Sequence, residues 1–519
     1  MLKSLIPLAL LALSSPALAE APPAPAVATP TLQQEVEALL ATAPQGTRFG
    51  LLVVDEKGQV VVAVNPDQRF IPASNTKMFT TAAAYARMQG LDRPDTGGAT
   101  WLVLEPVRKQ PPPKEWRNTK GMIFAVGLSP ADAVPAGGVD AVLYGRGDAR
   151  MSSAPDCKVN CLAALADAVA GKTKRVRDVV GDDSFWPDQR WSPGMSWNNI
   201  GTDSGTAVSA LNLDDNELRV TVTPGAAGQP PKLEGADYYT VANEARTVAP
   251  GGKTTLVLER PVNGMTLRLH GDIPADAQPW TDRIGIDDPA HYAAWTFKRM
   301  LEARGVKVTG KVRVFHRPVG YYDQPRENGP KSLDAPFGYR PFAELTPPPL
   351  AEDMVTINKV SQNLHAQVLF RRLGDLQGTG SEEWSVHALY AMLDKAGVPR
   401  AGYDFSDGSG MSTFNRVSPR AAIALLRWID SQPWGAAWYA SLPIAGRDGT
   451  LKRRFIGTPL EGNLTAKTGT LNATNALSGT FRTASGRRFT FAFFANDVPN
   501  GASALAVMEA VLVRIAAAN

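Results

Sequence analysis

The sequence predicts an α/β (α+β) protein in which an antiparallel sheet flanked by helices is built from both ends of the chain, around a large β-rich insertion. Helical patterns and β-branched strand patterns occur together near both ends. Between them, from about residue 100, short strand-like runs separated by Gly and Pro dominate. The chain has 519 residues, of which 44% are hydrophobic and 20% charged. This length and composition are typical of a globular protein with two or three domains.

The first thirty residues predict an export signal and a tether. Lys3 precedes an apolar run, and a small-residue site follows, so we expect a signal peptide over residues 1–19 that is cleaved near Ala19. Residues 20–30 are rich in Pro and Ala and are expected to form a tether. No later segment has the roughly 20 uninterrupted apolar residues that a membrane span needs. We therefore expect an exported protein without a transmembrane segment.

The predicted helix-and-sheet domain comprises residues 31–98 and 335–519. Its first part contains a helix capped by Thr31, a hairpin around residues 55–58, and a helix that follows a turn at Pro72. Its second part contains helical patterns, two strands and a final apolar helix, which we place at residues 351–396, at 420–431, in "ALSGTFRT" and "RRFTFAFFAND", and at 502–517.

The predicted insertion covers residues 99–334, and we expect two subdomains within it. Its strand-like runs include "LRVTVTPG", "TTLVLERPV", "MTLRLHGDI" and "VKVTGKVRVFH", and it carries the Pro-rich stretch "KQPPPKEW". The formal charge of +4 is small for this length and argues against a nucleic-acid partner. In an exported protein Cys157 and Cys161 can close a small disulfide loop, which we expect; two free thiols and a two-ligand metal site are the alternatives.

Ser74 and Lys77 form the first candidate for chemistry. A serine at position i and a lysine at i+3 share one face of a helix. The first turn of a helix favours developing negative charge, and a poorly solvated lysine has a depressed pKa. We therefore expect Lys77 to be the base that activates Ser74. A Ser-x-x-Lys pair is expected roughly once by chance in a chain of this size, and the alternative is a solvated lysine near a helix cap.

Two further triplets strengthen this hypothesis. Ser361-Gln362-Asn363 stands at the start of an otherwise apolar helix, and Lys467-Thr468-Gly469 at the opening of a strand. Gly469 is expected to leave room for a ligand against that strand, while Lys467 and Thr468 could hold a carboxylate. Among the five histidines there is no His-Glu-x-x-His, and no Gly-x-Ser-x-Gly elbow occurs. His365 is expected to pack rather than to catalyse. Taken together and in this order, the triplets match the serine acyl-transferase set of penicillin-binding proteins and β-lactamases.

Over most of the mature chain the sequence resembles the class C low-molecular-mass penicillin-binding proteins, which are D-alanyl-D-alanine carboxypeptidase/endopeptidases of the penicillin-binding protein 4 type. The resemblance rests on "PASNTKMFTTAAA", "LYGRGDARMSS", "DDSFWPDQRW", "INKVSQNLHAQVLFRRLG", "DGSGMSTFNRVSPRA" and "LPIAGRDGTLKRRF" leading to "AKTGTL". The wide separation of Lys77 from Ser361 is also typical of this family, since class A β-lactamases have only a short helical segment there. The resemblance implies a penicillin-recognising serine transpeptidase/β-lactamase-like domain.

The resemblance also implies a role for each motif residue. Ser74 would attack the carbonyl of the D-Ala-D-Ala bond while Lys77 takes its proton. Ser361, helped by Lys467, would pass a proton to the leaving amine. Substrate would be held by the remaining motif groups, which are the Asn363 amide, Thr468 for the terminal carboxylate, and the backbone N–H groups of Ser74 and Thr470 as oxyanion hole.

The implied partners are peptidoglycan peptides, with β-lactam antibiotics as covalent inhibitors and no nucleic acid. No metal or organic cofactor is needed, because water releases the acyl group. The implied location is the periplasm. Two alternatives remain: a β-lactamase, which would need a water-activating group, and a catalytically silent envelope-binding protein.

The sequence departs from the family at three positions. Gln362 and Gln367 stand where many members carry Asp and Glu, and Thr413 stands where an arginine that meets the free carboxylate of the peptide side chain is common. The motif therefore does not predict which group of this chain recognises diaminopimelate. Asp183 and Arg416 are the candidates for recognising this side chain. Asp183 lies in "DDSFWPDQRWSPGMSW". The aromatic side chains and the carboxylate of this stretch could bind a stem peptide that carries a side-chain amine. The alternative is a core-packing segment.

Overall fold

The computed structural model of the protein describes residues 30–107, 127–325 and 339–519. The predicted signal peptide, residues 20–29 of the predicted tether and the "KQPPPKEW" stretch lie outside the described residues. Of the described helices, none combines the length and the apolar character needed to cross a membrane.

Within those ranges the structure contains ten α-helices and twenty-two strands. The helices are α1 (Leu32–Leu40), α2 (Thr76–Arg87), α3 (Leu162–Lys172), α4 (Pro289–Ala303), α5 (Leu350–Val355), α6 (Asn363–Asp375), α7 (Glu382–Lys395), α8 (Pro419–Asp430), α9 (Gly435–Ala440) and α10 (Leu505–Ala517). The strands are β1 (Arg48–Val54), β2 (Val60–Val64), β3 (Thr100–Pro106), β4 (Val139–Tyr144), β5 (Arg175–Val176), β6 (Val179–Pro187), β7 (Glu217–Thr223), β8 (Lys232–Glu234), β9 (Thr240–Asn243), β10 (Arg246–Val248), β11 (Val257–Glu259), β12 (Thr266–His270), β13 (Asp272–Pro274), β14 (Trp280–Gly285), β15 (Lys307–Val308), β16 (Val312–Arg317), β17 (Ala343–Leu345), β18 (Tyr403–Asp404), β19 (Arg416–Val417), β20 (Leu464–Leu471), β21 (Thr474–Arg482) and β22 (Arg488–Asn496).

The first sheet joins the two ends of the chain. Its five strands lie in the order β2-β1-β22-β21-β20, and every neighbouring pair is antiparallel. Successive side chains of a strand point to opposite faces, so Leu51 and Leu52 enter different cores. One core lies against α1 and α10, and the other against α2, α6, α7 and α8. The prediction of an antiparallel sheet flanked by helices is confirmed.

Local sequence signals account for the ends of several helices in this part. Thr31 forms a capping box with Gln34 at the start of α1. Ser418 caps α8 with its side chain, and Pro419 occupies the first helical turn. The final helix begins at Leu505 rather than at residue 502, where the apolar pattern was expected to start.

The inserted region is built on a second five-stranded sheet, in the order β16-β6-β4-β3-β17. β6 is parallel to both β4 and β16, whereas β3 is antiparallel to both of its neighbours. Parallel neighbours need crossover connections, and α3 and α4 lie in the segments β4–β6 and β6–β16. The sequence analysis anticipated neither helix, although Asp288 and Pro289 form an ordinary helix-start signal at α4.

β17 pairs with β3 and therefore extends this sheet past residue 334, the predicted end of the insertion. A continuous cluster of buried side chains joins this sheet to two smaller sheets. Their strand orders are β14-β7-β8 and β11-β12-β9. The division into two subdomains stays a prediction. In the structure Cys157 and Cys161 are joined by a disulfide.

Candidate active site

Ser74 lies in a 3₁₀ turn, Ala73–Asn75, that runs directly into α2. Ala73 has a φ of +46°, a conformation that costs a non-glycine residue free energy. Two glycines press against this turn from other parts of the chain. A Cβ on Gly410 would lie 2.0 Å from the carbonyl oxygen of Ala73, and one on Gly469 would lie 2.8 Å from that of Pro72. The turn of Ser74 is thus held by close backbone contacts that only glycine permits.

Lys77 is fully buried one turn later on α2. Its Nζ lies 2.9 Å from Ser74 Oγ, 2.6 Å from Asn363 Oδ1 and 2.6 Å from the carbonyl oxygen of Ser409. Burial lowers the pKa of Lys77 to about 7, although the negative charge of Asp407 opposes that shift. An amine with this pKa is neutral in a large fraction of molecules near neutral pH.

The three contacts of Lys77 determine where its N–H groups and its lone pair point when the amine is neutral. Asn363 Oδ1 and the Ser409 carbonyl can only accept hydrogen bonds, so they take both N–H groups of a neutral amine. The orientation of Asn363 is consistent, because its Nδ2 donates to the carbonyl of Ser204, 3.0 Å away. The nitrogen lone pair of Lys77 is then left facing the Ser74 hydroxyl. This arrangement suits a general base acting on Ser74.

The carbonyl that faces Lys77 is supplied by a turn folded around the buried Asp407. The carboxylate accepts hydrogen bonds from the backbone N–H groups of residues 410–412, from the Ser409 hydroxyl and from Asn415 Nδ2. Gln367 also supports this turn, because its Oε1 accepts a bond of 2.8 Å from the N–H of Gly408. The sequence analysis used this stretch only as a family motif; the Asp-Gly-Ser-Gly order was the available signal for a tight turn.

Ser361 lies between the buried Lys467 and the cleft. It has a φ of +68° and ends a π-helical turn, Thr356–Val360, just before α6. Lys467 Nζ donates to Ser361 Oγ at 2.9 Å and to the Thr468 carbonyl at 3.0 Å. Burial, together with the positive charge of Lys77, lowers the pKa of Lys467 well below its ordinary value. Two neighbouring buried lysines therefore favour a site in which at least one amine is neutral.

The Lys467-Thr468-Gly469 triplet lies within β20 rather than at its opening, and β20 is the edge strand of the first sheet. Gly469 lines the cleft and also packs closely against the turn of Ser74, because a Cβ there would lie 3.1 Å from the Ser74 nitrogen. A cleft of about 470 Å³ runs along this edge. The described residues that line it are Ser74, Asn199, Ser204, Ser361, Asn363, Met411, Thr450, Thr468, Gly469, Thr470, Leu471 and Asn472. The lining residues that were not predicted from the sequence as site residues are Asn199, Ser204, Met411, Thr450, Leu471 and Asn472.

The structure does not place Asp183 or Arg416 at the cleft. Asp183 is buried, accepts a hydrogen bond of 2.8 Å from Ser209 and pairs with His316 at 2.8 Å. Trp186 is also buried, and its indole N–H donates to Asp375, so this part of the aromatic stretch packs the interior. Arg416 turns back to donate to the carbonyls of Thr413 and Asn415.

His365 is buried behind the cleft and does not line it. It pairs with Asp353 at 2.6 Å and with Asp215 at 2.8 Å, and these carboxylates raise its pKa to about 10 despite burial. Gln362 accepts a bond from the N–H of Leu364 and so caps α6. Across the residues that the structure describes, no group of three or more His, Cys, Asp or Glu side chains could hold a metal ion.

Known proteins similar to this chain include D-alanyl-D-alanine carboxypeptidases. The model of the D-Ala-D-Ala carboxypeptidase 3 (S13) family matches residues 133–519. The chain is 32% identical to a D-alanyl-D-alanine carboxypeptidase of Actinomadura sp. (strain R39), over 99% of this chain and 88% of that protein. It is 24% identical to the D-alanyl-D-alanine carboxypeptidase DacB of Haemophilus influenzae, over 88% of this chain and 87% of that protein.

Among solved structures, that of penicillin binding protein 4 (dacB) from Haemophilus influenzae is similar to this chain with a TM-score of 0.72. The match covers 93% of this chain and 97% of the other, at 21% sequence identity. At this level of identity the likeness establishes a shared fold.

Proposed function

Because this chain belongs to the D-Ala-D-Ala carboxypeptidase 3 (S13) family, and is therefore a serine-type D-Ala-D-Ala carboxypeptidase, we propose that Ser74 is its nucleophile and Lys77 its base. The observation that carries this assignment is the position of Lys77 Nζ, 2.9 Å from Ser74 Oγ, with its two other neighbours able only to accept hydrogen bonds.

In the acylation step, Ser74 Oγ attacks the carbonyl carbon between the two D-alanines and its proton moves to Lys77. The negative charge on the tetrahedral oxygen is stabilised by the backbone N–H groups of Ser74 and Thr470. When the C–N bond breaks, the leaving amine takes a proton through Ser361, which Lys467 contacts at 2.9 Å. The products are the acyl-enzyme on Ser74 and a free amine.

Deacylation uses water as the second nucleophile. Lys77, neutral again after the proton has passed to the leaving amine, accepts a proton from water that attacks the Ser74 ester. When the ester C–O bond breaks, Lys77 returns this proton to Ser74 Oγ, and the peptide leaves with a new terminal carboxyl group. Asn363 Nδ2 has one hydrogen for the Ser204 carbonyl and a second that can meet a substrate amide oxygen. Thr468, on the edge strand, would bind the terminal carboxylate of the substrate.

The same chemistry extends to cross-links. In a carboxypeptidase reaction the leaving amine belongs to the terminal D-alanine, whereas in an endopeptidase reaction it belongs to the side chain of a neighbouring stem peptide. We include both reactions, because the cleft is open along the edge of β20 and attack by Ser74 is identical in each. The environment proposed for these substrates is the periplasm, reached through the export signal predicted at residues 1–19.

β-Lactam antibiotics are proposed to acylate Ser74, and the resulting acyl-enzyme is proposed to hydrolyse slowly. Among the described residues that line the cleft there is no Asp, Glu or His that could activate water. This composition disfavours the β-lactamase alternative, which needs rapid deacylation. The intact contacts among Ser74, Lys77, Ser361 and Lys467 argue against a catalytically silent envelope-binding protein.

The test combines peptide cleavage with covalent labelling. Purified protein is incubated with pentapeptide monomers and cross-linked dimers, and the products are resolved by mass; a second sample is labelled with fluorescent penicillin. We expect loss of D-alanine from monomers and conversion of dimers to monomers, and Ser74→Ala should abolish cleavage and labelling at an unchanged melting temperature. Labelling that persists in a folded Ser74→Ala protein would remove Ser74 from the nucleophile role.

A further inference from the structure

Thr450 is a cleft residue outside the three catalytic motifs. It is exposed, it lines the cleft, and its Oγ1 lies 2.7 Å from Oγ1 of Thr468. Among the described residues the Thr450 hydroxyl has no other hydrogen-bond partner. A hydroxyl that faces the cleft and contacts only the hydroxyl of Thr468 suggests a role in substrate binding.

The turn that carries Thr450 is braced on the segment that leads to Ser361. Gly449 has a φ of +54°, and a Cβ there would lie 2.6 Å from the carbonyl oxygen of Lys359. Asp448 forms an ion pair with the Lys359 ammonium and accepts a bond of 2.9 Å from the N–H of Ile444. Thr450 is therefore presented by a turn that is fixed at two points, rather than by a loose loop.

Hydroxyl chemistry decides what this contact can do. Each threonine hydroxyl carries one proton, so the short contact between Thr450 and Thr468 uses one of the two protons. If Thr468 donates to Thr450, it has no proton for a ligand. If Thr450 donates to Thr468, the proton of Thr468 is free to point into the cleft. An anionic carboxylate, which can only accept, selects the second arrangement.

We propose that Thr450 is a positioning residue that directs the hydroxyl proton of Thr468 toward the terminal carboxylate of the substrate. The inference rests on the proposed function, since it takes Thr468 as the group that binds this carboxylate. Thr450 would thus contribute to recognition of a free C-terminal D-alanine, and of the carboxylate of a β-lactam, through Thr468.

The test compares ligands that differ only in this carboxylate. Peptides ending in D-Ala-D-Ala are compared with the same peptides ending in D-Ala-D-alaninamide, and benzylpenicillin with its methyl ester. The variants are Thr450→Val, which keeps the shape and removes the hydroxyl, and Thr450→Ser, which keeps the hydroxyl. Thr458→Val is the matched control, because Thr458 lies in the same loop, away from the cleft lining, with its hydroxyl on the Phe455 carbonyl.

For Thr450→Val we expect KM for the carboxylate peptide to rise about tenfold with kcat within about threefold, the effect of one hydrogen bond to a charged group. Acylation by benzylpenicillin should slow to a similar extent, while the amide and the methyl ester react within about twofold of wild type. Thr450→Ser should restore both values, and Thr458→Val should match wild type.

Equal losses on the charged and uncharged forms would overturn the proposal, as would no loss on either form or a failure of Thr450→Ser to restore binding. If the wild-type protein cleaved neither peptide, the proposed function would fail instead. The penicillin pair would then still report on Thr450, because it needs no peptide cleavage.

Discussion

Acylation of Ser74 should depend on pH through Lys77. The ordinary pKa of a lysine is 10.5, and burial lowers that of Lys77 to about 7. At pH 7 a lysine of ordinary pKa would be neutral in only about 0.03% of molecules, whereas one with a pKa near 7 is neutral in about half. Burial thus increases the concentration of the active base by about a thousandfold at neutral pH.

The sign of the effect follows from which form is the base. Protonated Lys77 cannot accept the Ser74 proton, so acylation should be lost as pH falls through the pKa and should level off above it. We expect the second-order rate constant for acylation by benzylpenicillin to fall about tenfold for each pH unit below 7 and to change little above pH 8.

The assay is stopped-flow acylation from pH 5 to pH 9, with the melting temperature measured at each pH so that only folded protein is compared. Lys77→Ala is the control: its rate should be lower by orders of magnitude and should show no rise centred near pH 7. A rate that stays level from pH 5 to pH 9 in folded wild-type protein, or a midpoint above pH 9, would refute the assignment of Lys77 as the base.

Two further predictions concern packing, one at the turn of Ser74 and one inside the inserted region. Gly410→Ala should slow acylation at least about tenfold, because a Cβ 2.0 Å from the Ala73 carbonyl forces the nucleophile turn to move. Gly397→Ala has a similarly positive φ but open space around the added Cβ; if it slowed labelling equally, the clash would not be the cause. Asp183→Ala should lower the free energy of unfolding by roughly 2–4 kcal/mol, since it leaves His316 without one of its carboxylates, while cleavage of stem peptides stays within about twofold of wild type. Denaturant unfolding and peptide kinetics measure the two effects, and a selective loss of peptide cleavage would restore Asp183 to a recognition role.

Much of the helix-and-sheet part of the protein could be predicted because its signals are local. Thr31 caps α1, the hairpin around residues 55–58 joins β1 to β2, and the serine and lysine of the first motif are one helical turn apart. The inserted region was predicted less well. Many of its short strands were expected, but α3 and α4 were missed. Cys161 gives the start of α3 no side-chain cap, whereas the Asp288-Pro289 start signal of α4 was overlooked.

The side-chain roles divide in the same way. Asp183 was a candidate because an aromatic stretch with carboxylates resembles a binding surface, yet whether such a stretch faces solvent or the interior depends on what packs over it. Here Ser209 and His316 occupy its carboxylate. Burial of this kind is a property of the assembled domains and leaves no mark on residue spacing.

By itself the sequence determined which groups could react: a Ser-x-x-Lys turn, a Ser-x-Asn helix start and a Lys-Thr-Gly strand, each set by spacing of a few residues along one element. Only the tertiary structure decided how they act on one another. The lowered pKa of Lys77 needs a dry environment, its lone pair is directed by carbonyl groups on α6 and on the Asp407 turn, and Thr468 meets Thr450 across two segments. Hydrogen bonding and desolvation act through space over a few ångströms, so contacts between residues far apart in the chain are settled only when the chain has folded.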